Sequence, residues 1–366
     1  MKAKITIDAR WLVGGIGTYT RHLLEGLRKN GNGFDIHAIT FKQHALALGQ
    51  VCSRVTVSDI PIYTVHEQWA IPRAARGCDL LHVPHYNAPL LGRGPKITSI
   101  HDLIHITDPT YSTSLKSWIY AQPILRMVAQ KSDHIITVSE FSKRQIVERL
   151  GVEGDKVSAI YHGVNGEFNV TDREEARNDV AETFGIKAPY VLYVGSLKPY
   201  KNVSTLLKAF AMLGARSDFP HILVIVGDNG PFKRSLMREA TSLGVAANAC
   251  FISDIDQHYL PKIYATADLL VMPSRMEGFG LPVLEAMACG TPVVSSSAAS
   301  LPEVGGDAVL YFDPTQPDQL ADLLAKVLSS GDLRTDLRER GLQRAKHFTW
   351  EQSTKRHVEL YQKLLT

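Results

Sequence analysis

The stretch that most narrows the fold of this chain covers residues 267–295. Ala267-Asp268-Leu269-Leu270-Val271-Met272 reads as a buried strand that stops at Pro273. A loop follows in which Gly278 and Gly280 flank Phe279. Pro282 stands where a helix begins, a position that tolerates proline because the missing N–H has no helical partner there. The helix continues to residue 288, Gly290 ends it, and Val293-Val294 opens another strand. Strand, glycine turn, helix and strand together put backbone N–H groups and the positive end of a helix dipole at the carboxyl edge of a parallel sheet. Such a place suits a phosphate. Glu277 lies before the helix and Glu285 about one turn into it. A carboxylate repels phosphate, so these two call for neutral donors, and sugar hydroxyls fit. A nucleotide-sugar carries both parts.

The same alternation runs through the whole chain and predicts parallel α/β architecture. Strands are expected at residues 4–8, 35–40, 79–84, 96–100, 133–138 and 157–161, then at 190–194, 221–226 and 251–252. Glu303-Val304 and residues 308–314 complete the second sheet region. Helices are expected at 20–29, 111–131, 203–213, 257–265, 317–329, 332–347 and from 350 to the end. Ser139 caps a helix that opens at residue 140, and Pro123 is expected to kink or divide the segment 111–131. In that segment Trp118, Ile119, Tyr120, Ile124, Leu125 and Met127 suit a core, or else contact with lipid or an acceptor. At 366 residues and 45% hydrophobic content, two domains and two cores are expected. The boundary is placed at His162-Gly163-Val164-Asn165-Gly166.

No apolar run reaches the ~18 residues that a membrane span needs. Residues 1–8 lead into a strand and do not read as a signal peptide. The four cysteines, Cys52, Cys78, Cys250 and Cys289, form no C-x-x-C pair, which argues for a reducing compartment and against zinc. A cytoplasmic location is expected. Residues 1–165 hold 19 Lys and Arg against 13 Asp and Glu, and the remainder 21 against 24. The basic half fits an anionic surface such as a cytoplasmic leaflet or a lipid diphosphate; it fits equally a mild bias of surface composition. Nothing indicates nucleic acid.

Gly14-Gly15-Ile16-Gly17-Thr18-Tyr19 reads as a turn, but it lacks the third glycine of a dinucleotide fingerprint, and no ribose-binding acid follows the second strand. His85-Tyr86-Asn87 and His101-Asp102-Leu103 follow strands, where α/β sites form. His82/His85 and His101/His105 lack the carboxylates that would complete a metal site. Gly195-Ser196-Leu197-Lys198-Pro199-Tyr200-Lys201 is a strand-to-helix turn whose lysine suits a departing diphosphate. Asp254-Ile255-Asp256 is formally D-x-D, though Asp256 reads more simply as a helix cap.

The block Glu277-Gly278-Phe279-Gly280-Leu281-Pro282, with Glu285 and Met287-Ala288-Cys289-Gly290-Thr291-Pro292, resembles the E-x7-E signature of retaining family 4 glycosyltransferases. The resemblance extends over essentially the whole chain. It implies the GT-B fold: two Rossmann-like domains facing across a cleft, here residues 1–165 on the acceptor side and 166–349 on the nucleotide-sugar side, with helix 350–366 crossing back. It implies that Glu277 meets the donor sugar and Glu285 the ribose. Lys201 matches the phosphate-binding lysine. His101, in an H-D pair, matches a histidine near the donor sugar, with Asp102 orienting the loop. Gly14, Gly15 and Ile16 match the loop over the donor phosphates; Ile252 and Ser253 match the backbone at the nucleobase. Gly278, Phe279, Gly280 and Leu281 complete the donor set. Ser196 stands where many members have arginine and Tyr200 where a close subgroup does, leaving Lys198 to compensate.

Catalytic roles are thus expected of His101, Lys201 and Glu277, with no metal and no cofactor. The resemblance implies transfer of a hexose, with retention, from a nucleotide-sugar to a glycan or lipid-linked hydroxyl. Mannose or rhamnose is the first expectation, with GDP-mannose the first donor and a UDP-sugar the second. The motifs at residues 100–103 and 138–142 look most like bacterial enzymes of surface polysaccharide synthesis. A nucleotide-sugar epimerase, a phosphorylase or a silent nucleotide-sugar binding module are the alternatives.

Overall fold

The computed structural model describes residues 2–30, 33–92, 94–107, 115–214, 219–228, 230–253 and 255–366; for His105 and residues 115–121 it describes the backbone alone. The chain divides into two compact units, Met1–Gly163 with Thr349–Thr366, and Val164–Phe348.

The first unit holds strands β1 (Ala3–Asp8), β2 (Phe34–Thr40), β3 (Arg54–Val57), β4 (Leu80–Val83), β5 (Lys96–Ser99), β6 (His134–Thr137) and β7 (Val157–Ala159). They form one parallel sheet in the order β3-β2-β1-β4-β5-β6-β7. The second unit holds β8 (Tyr190–Val194), β9 (Ile222–Val226), β10 (Ala249–Ile252), β11 (Leu269–Met272), β12 (Val293–Ser296) and β13 (Leu310–Phe312). Their order is β10-β9-β8-β11-β12-β13, again parallel. Both sheets reverse direction of growth beside their first strand, between β1 and β4 and between β8 and β11. This doubly wound order opens a crevice beyond the carboxyl ends of those strands.

The strands form where the chain carries short apolar runs. Tyr190–Val194 and Leu269–Met272 are buried at every position, as expected of strands covered by helices on both faces. The core of the first unit gathers Ile5, Ile7, Tyr19, Leu23, Leu27, Leu80 and Ile97, and the last helix adds Leu360 and Tyr361. That helix, Trp350–Leu365, buries Ser353, Thr354, His357, Leu360 and Tyr361, one face at helical spacing. It crosses the helix Gly14–Asn30 at Gly26, where an added Cβ would lie 2.0 Å from Thr354 Oγ1.

Some expectations change. The helix near the N-terminus opens at Gly14, so the expected glycine turn is that helix's first turn. Leu115–Lys131 is one helix that includes Pro123, so the proline does not divide it. Leu125 is buried, whereas Ile124 and Met127 are exposed; residues 111–114 lie outside the described residues. Glu303 and Val304 belong to the helix Leu301–Gly305 and not to the sheet. Ser139 does cap the helix Glu140–Leu150, accepting from Ser142 N at 3.0 Å. No described helix is long and apolar enough to cross a membrane.

Candidate functional site

The polar side chains that matter collect at the carboxyl ends of β1, β4 and β5 in the first unit, and of β8, β9, β10 and β11 in the second.

In the second unit, a 3-10 turn at Pro199–Lys201 follows β8, and Asn202 closes it in the left-handed region at φ 60°. The Asn202 amide donates to the carbonyls of Pro273 and Pro314 at 3.0 and 2.8 Å. Arg275 N donates to Tyr200 O at 2.8 Å. These bonds hold the Lys201 turn against the loop after β11. Across that junction Lys201 Nζ meets Glu277 Oε1 at 2.6 Å, and Ser274 Oγ donates to the same oxygen at 2.8 Å. The Ser300 hydroxyl lies 3.0 and 3.1 Å from the carbonyls of Glu277 and Phe279. The loop is therefore tied from below. Glu277, Gly278, Phe279 and Gly280 are all buried, and the Phe279 ring packs edge-on to Phe348. Phe279 thus serves the core with its side chain, and Ser300 holds its carbonyl. Leu281 begins the helix Leu281–Ala288.

Glu285 points into that helix's flank, where Tyr264 Oη donates to Oε2 at 2.7 Å. Burial raises the Glu285 carboxyl to a pKa of about 7, and the Tyr264 hydrogen bond counters part of the rise. Both glutamates are held alike. In each, one oxygen takes every side-chain bond, Oε1 of Glu277 and Oε2 of Glu285, and the other oxygen has no hydrogen bond among the described residues.

Ser196 follows β8, and its carbonyl accepts from Tyr193 Oη at 2.7 Å. Gly227 follows β9; a Cβ there would sit 1.9 Å from Gly195 O, so the two turns touch backbone to backbone. Gly227 N also donates to Ile252 O at 2.9 Å, which brings the end of β10 into the same cluster. Ser253, next in sequence, accepts from Lys233 Nζ at 2.5 Å. Lys233 was not among the expected residues; its signal was a lysine two residues past Pro231, at the start of the helix after the β9 turn. Asp256 caps the turn that follows, accepting from His258 N; Asp254 lies outside the described residues.

In the first unit, Gly14 and Gly15 are exposed and Ile16 partly so, at the start of the helix beyond β1. His101, two residues past β5, has Nε2 at 3.0 Å from Pro84 O. A carbonyl only accepts, so Nε2 carries the proton and Nδ1 is the bare acceptor. Burial lowers the imidazole pKa to about 4, and the bond to Pro84 opposes this only in part. His101 is neutral at pH 7. Asp102 accepts from Ile104 N at 3.0 Å and shapes the loop.

A second cluster in this unit joins three stretches, residues 8–11, 60–67 and 85–87, of which the sequence singles out only the last. Arg10 Nε and Nη2 both donate to Asp8 at 2.8 Å, and Nη1 reaches Ile60 O at 2.9 Å and Glu67 at 3.1 Å. Glu67 also takes Asn87 Nδ2 and Tyr63 N. Trp11 stacks on His85 at 5.1 Å, with Tyr63 edge-on to both.

The family described as Glycosyl transferases group 1 matches residues 174–344, and Glycosyltransferase Family 4 matches residues 13–168. The chain is 31% identical over 289 residues to the O-antigen chain mannosyltransferase B of Escherichia coli, covering 78% of this chain and 74% of that one. This is a family 4 glycosyltransferase. Its fold agrees with that of solved proteins along the whole enzyme. Anabaena Alr3699/HepE in complex with UDP and glucose superposes with a TM-score of 0.81 at 19% identity, covering 99% of this chain and 100% of that one. A glycosyltransferase from Rickettsia africae gives 0.78 at 18% identity, with 100% and 99% covered. The architecture of the enzyme is GT-B.

Proposed function

We propose that this glycosyltransferase moves a hexose, with retention at the anomeric carbon, from a nucleotide-sugar to a hydroxyl of a glycan or lipid-linked acceptor, without a metal. Mannose carried by GDP is the first donor; rhamnose, or a UDP-sugar, is the second. The observation that carries this reading is the pair of half-anchored glutamates. Each presents one carboxylate oxygen to a hydroxyl donor: Glu277 to the sugar, Glu285 to the ribose. Lys201 supplies the cation for the diphosphate, with Lys198 and Lys233 nearby along the same sheet edge. The helix start at Leu281 adds its dipole. The names of the relatives agree: one is a mannosyltransferase, and another was solved with UDP and glucose.

In the step itself, the bond from the anomeric carbon to the β-phosphate oxygen breaks first and leaves a cation-like sugar. Lys201 is drawn from Glu277 toward the departing phosphate, where its charge offsets the developing anion and lowers the barrier. The acceptor oxygen then bonds to the anomeric carbon on the face the phosphate leaves. Its proton passes to the phosphate oxygen. His101, a neutral imidazole with a bare Nδ1, accepts a hydroxyl of the donor sugar and supplies no proton. Trp11, Tyr63 and His85, beside Arg10 and Glu67, offer a stacking face and polar partners for the acceptor.

The enzyme is proposed to work in the cytoplasm, meeting lipid-linked acceptors by peripheral contact of the first unit. Trp69 is 59% exposed and Val65 70%. Trp69 lines a groove of about 590 Å³ together with Val57, Ile60, Arg54 and Arg73. Aromatic and cationic side chains in one patch suit an anionic bilayer surface.

The test is nucleotide release from GDP-mannose, GDP-rhamnose, UDP-glucose and UDP-GlcNAc, with and without EDTA. Slow release from one donor that survives EDTA and falls in Glu277→Ala supports the reading. Release abolished by EDTA overturns the metal-free step. Interconversion of free donors without an acceptor would make the protein an epimerase.

A further inference from the structure

We infer that the last helix, Trp350–Leu365, positions His101 through a buried hydrogen-bond chain that has only one possible proton order. The inference rests on the reading of His101 as a donor-side residue.

The order follows from one carbonyl. His357 Nδ1 lies 2.7 Å from Ser353 O, which can only accept, so Nδ1 carries the proton. A neutral imidazole has one such proton, so Nε2 accepts, and the Tyr19 hydroxyl donates to it at 2.7 Å. Tyr19 has no second proton, so it accepts from Ser99 Oγ at 3.1 Å. Ser99 has then spent its proton and accepts from His82 Nε2 at 2.9 Å. His82, neutral in turn, accepts at Nδ1 from Tyr361 Oη at 2.6 Å. Five bonds run in one direction, from Tyr361 to the Ser353 carbonyl, beginning and ending on the same helix. The five side chains are at most 1% exposed. Burial holds His82 and His357 well below the ordinary imidazole range, which keeps both singly protonated. Buried polar chains of this kind are costly when one member is missing.

The chain lies directly beneath His101. His82 and Ser99 bridge β4 and β5. Two residues farther along the same strands, Pro84 O and His101 Nε2 make the next bridge. The Tyr19 ring meets the His101 ring edge-on, 5.0 Å between centroids at 82°. His101 therefore stands on a floor whose spacing is set by the chain, and Tyr19 touches it without sharing a hydrogen bond. Tyr19, His82 and His357 are positioning residues.

Nitrogen-15 spectra of the full chain labelled at histidine read the proton order directly. Signals are assigned by single-site variants. His82 and His101 are expected as the Nε2–H form and His357 as the Nδ1–H form. A doubly protonated ring, or His357 in the Nε2–H form, would overturn the chain. This readout does not depend on any donor being turned over, so it stands apart from the failure of the proposed activity. Tyr19→Phe keeps the ring and deletes one link; turnover of GDP-mannose is expected to fall ~10-fold, the scale of one buried hydrogen bond, with KM within about twofold. In a His101→Ala background the same substitution is expected to do nothing further. Tyr361→Phe, at the start of the chain, should give a smaller effect of the same kind. Fully additive losses, or a fall in Tm with turnover unchanged, would reduce the chain to a structural feature and overturn the inference.

Discussion

The polar clusters around Glu277 and around His101 are made of opposite materials. In the second unit, a lysine and a glutamate pair at 2.6 Å at the edge of the sheet, and Glu285 titrates near neutrality. Around His101, burial keeps every ring neutral: it pushes His82, His101, His162 and His357 down and Tyr19 and Tyr361 up. The difference separates two tasks. A departing diphosphate needs charge that can move toward it. A sugar hydroxyl needs a hydrogen-bond partner held in one place, and a charged imidazole there would oppose the cation-like sugar. On the proposed function, the Lys201–Glu277 cluster would supply charge and the surroundings of His101 direction.

The largest expected effect breaks the charged side. Lys201→Ala should lower kcat/KM by ~10³, as for loss of a preorganised charge at a developing anion, measured as nucleotide release with acceptor present. Glu277→Gln comes next, at about a hundredfold, because a neutral amide replaces a charged partner of both lysine and hydroxyl.

Glu285 sharpens the comparison through pH. Hydroxyl donors bind its carboxylate form, so donor affinity should rise about tenfold from pH ~6 to pH ~8 and stay flat in Glu285→Gln. Titration calorimetry across that range checks it. Stability runs the other way. The folded carboxyl, near 7, lies above its ordinary value of 4.5. Its contribution is therefore fully present below about pH 4.5 and lost as pH rises through about 7. Glu285→Gln should raise Tm at pH 8 and leave it unchanged at pH 4. The smallest effect belongs to a control outside both clusters. Ser139→Ala removes a helix cap worth ~1 kcal/mol and should lower Tm by a few degrees with turnover intact.

The contrast also explains what could be read from the sequence. The second unit's residues lie in two short turns, each following an apolar strand, and in the helix that opens after the second, so Lys201, Glu277 and Glu285 stood out by spacing and resemblance. Their mutual arrangement did not: 76 residues separate Lys201 from Glu277, and no local pattern reports that Ser274 and Lys201 share one oxygen. In the first unit, His101 was legible as a histidine past a strand. The chain beneath it joins residues 19, 82, 99, 357 and 361, which only the doubly wound sheet and the returning helix bring together. The Asp8–Arg10–Glu67 cluster was missed for the same reason. The helix start at Gly14 was misread because a glycine run signals a turn more strongly than the opening of a helix. Glu303-Val304 was misread because a two-residue stretch, one charged and one apolar, has no measurable period.

The most direct test separates phosphate from sugar. GDP and GDP-mannose are titrated calorimetrically into wild type, Lys201→Ala and Glu277→Ala. The account predicts that Lys201→Ala weakens both ligands. Glu277→Ala should keep or strengthen GDP binding, because the lysine is released, and bring GDP-mannose down to the affinity of GDP. Equal loss of both ligands in Glu277→Ala would contradict the assignment of its open oxygen to the sugar.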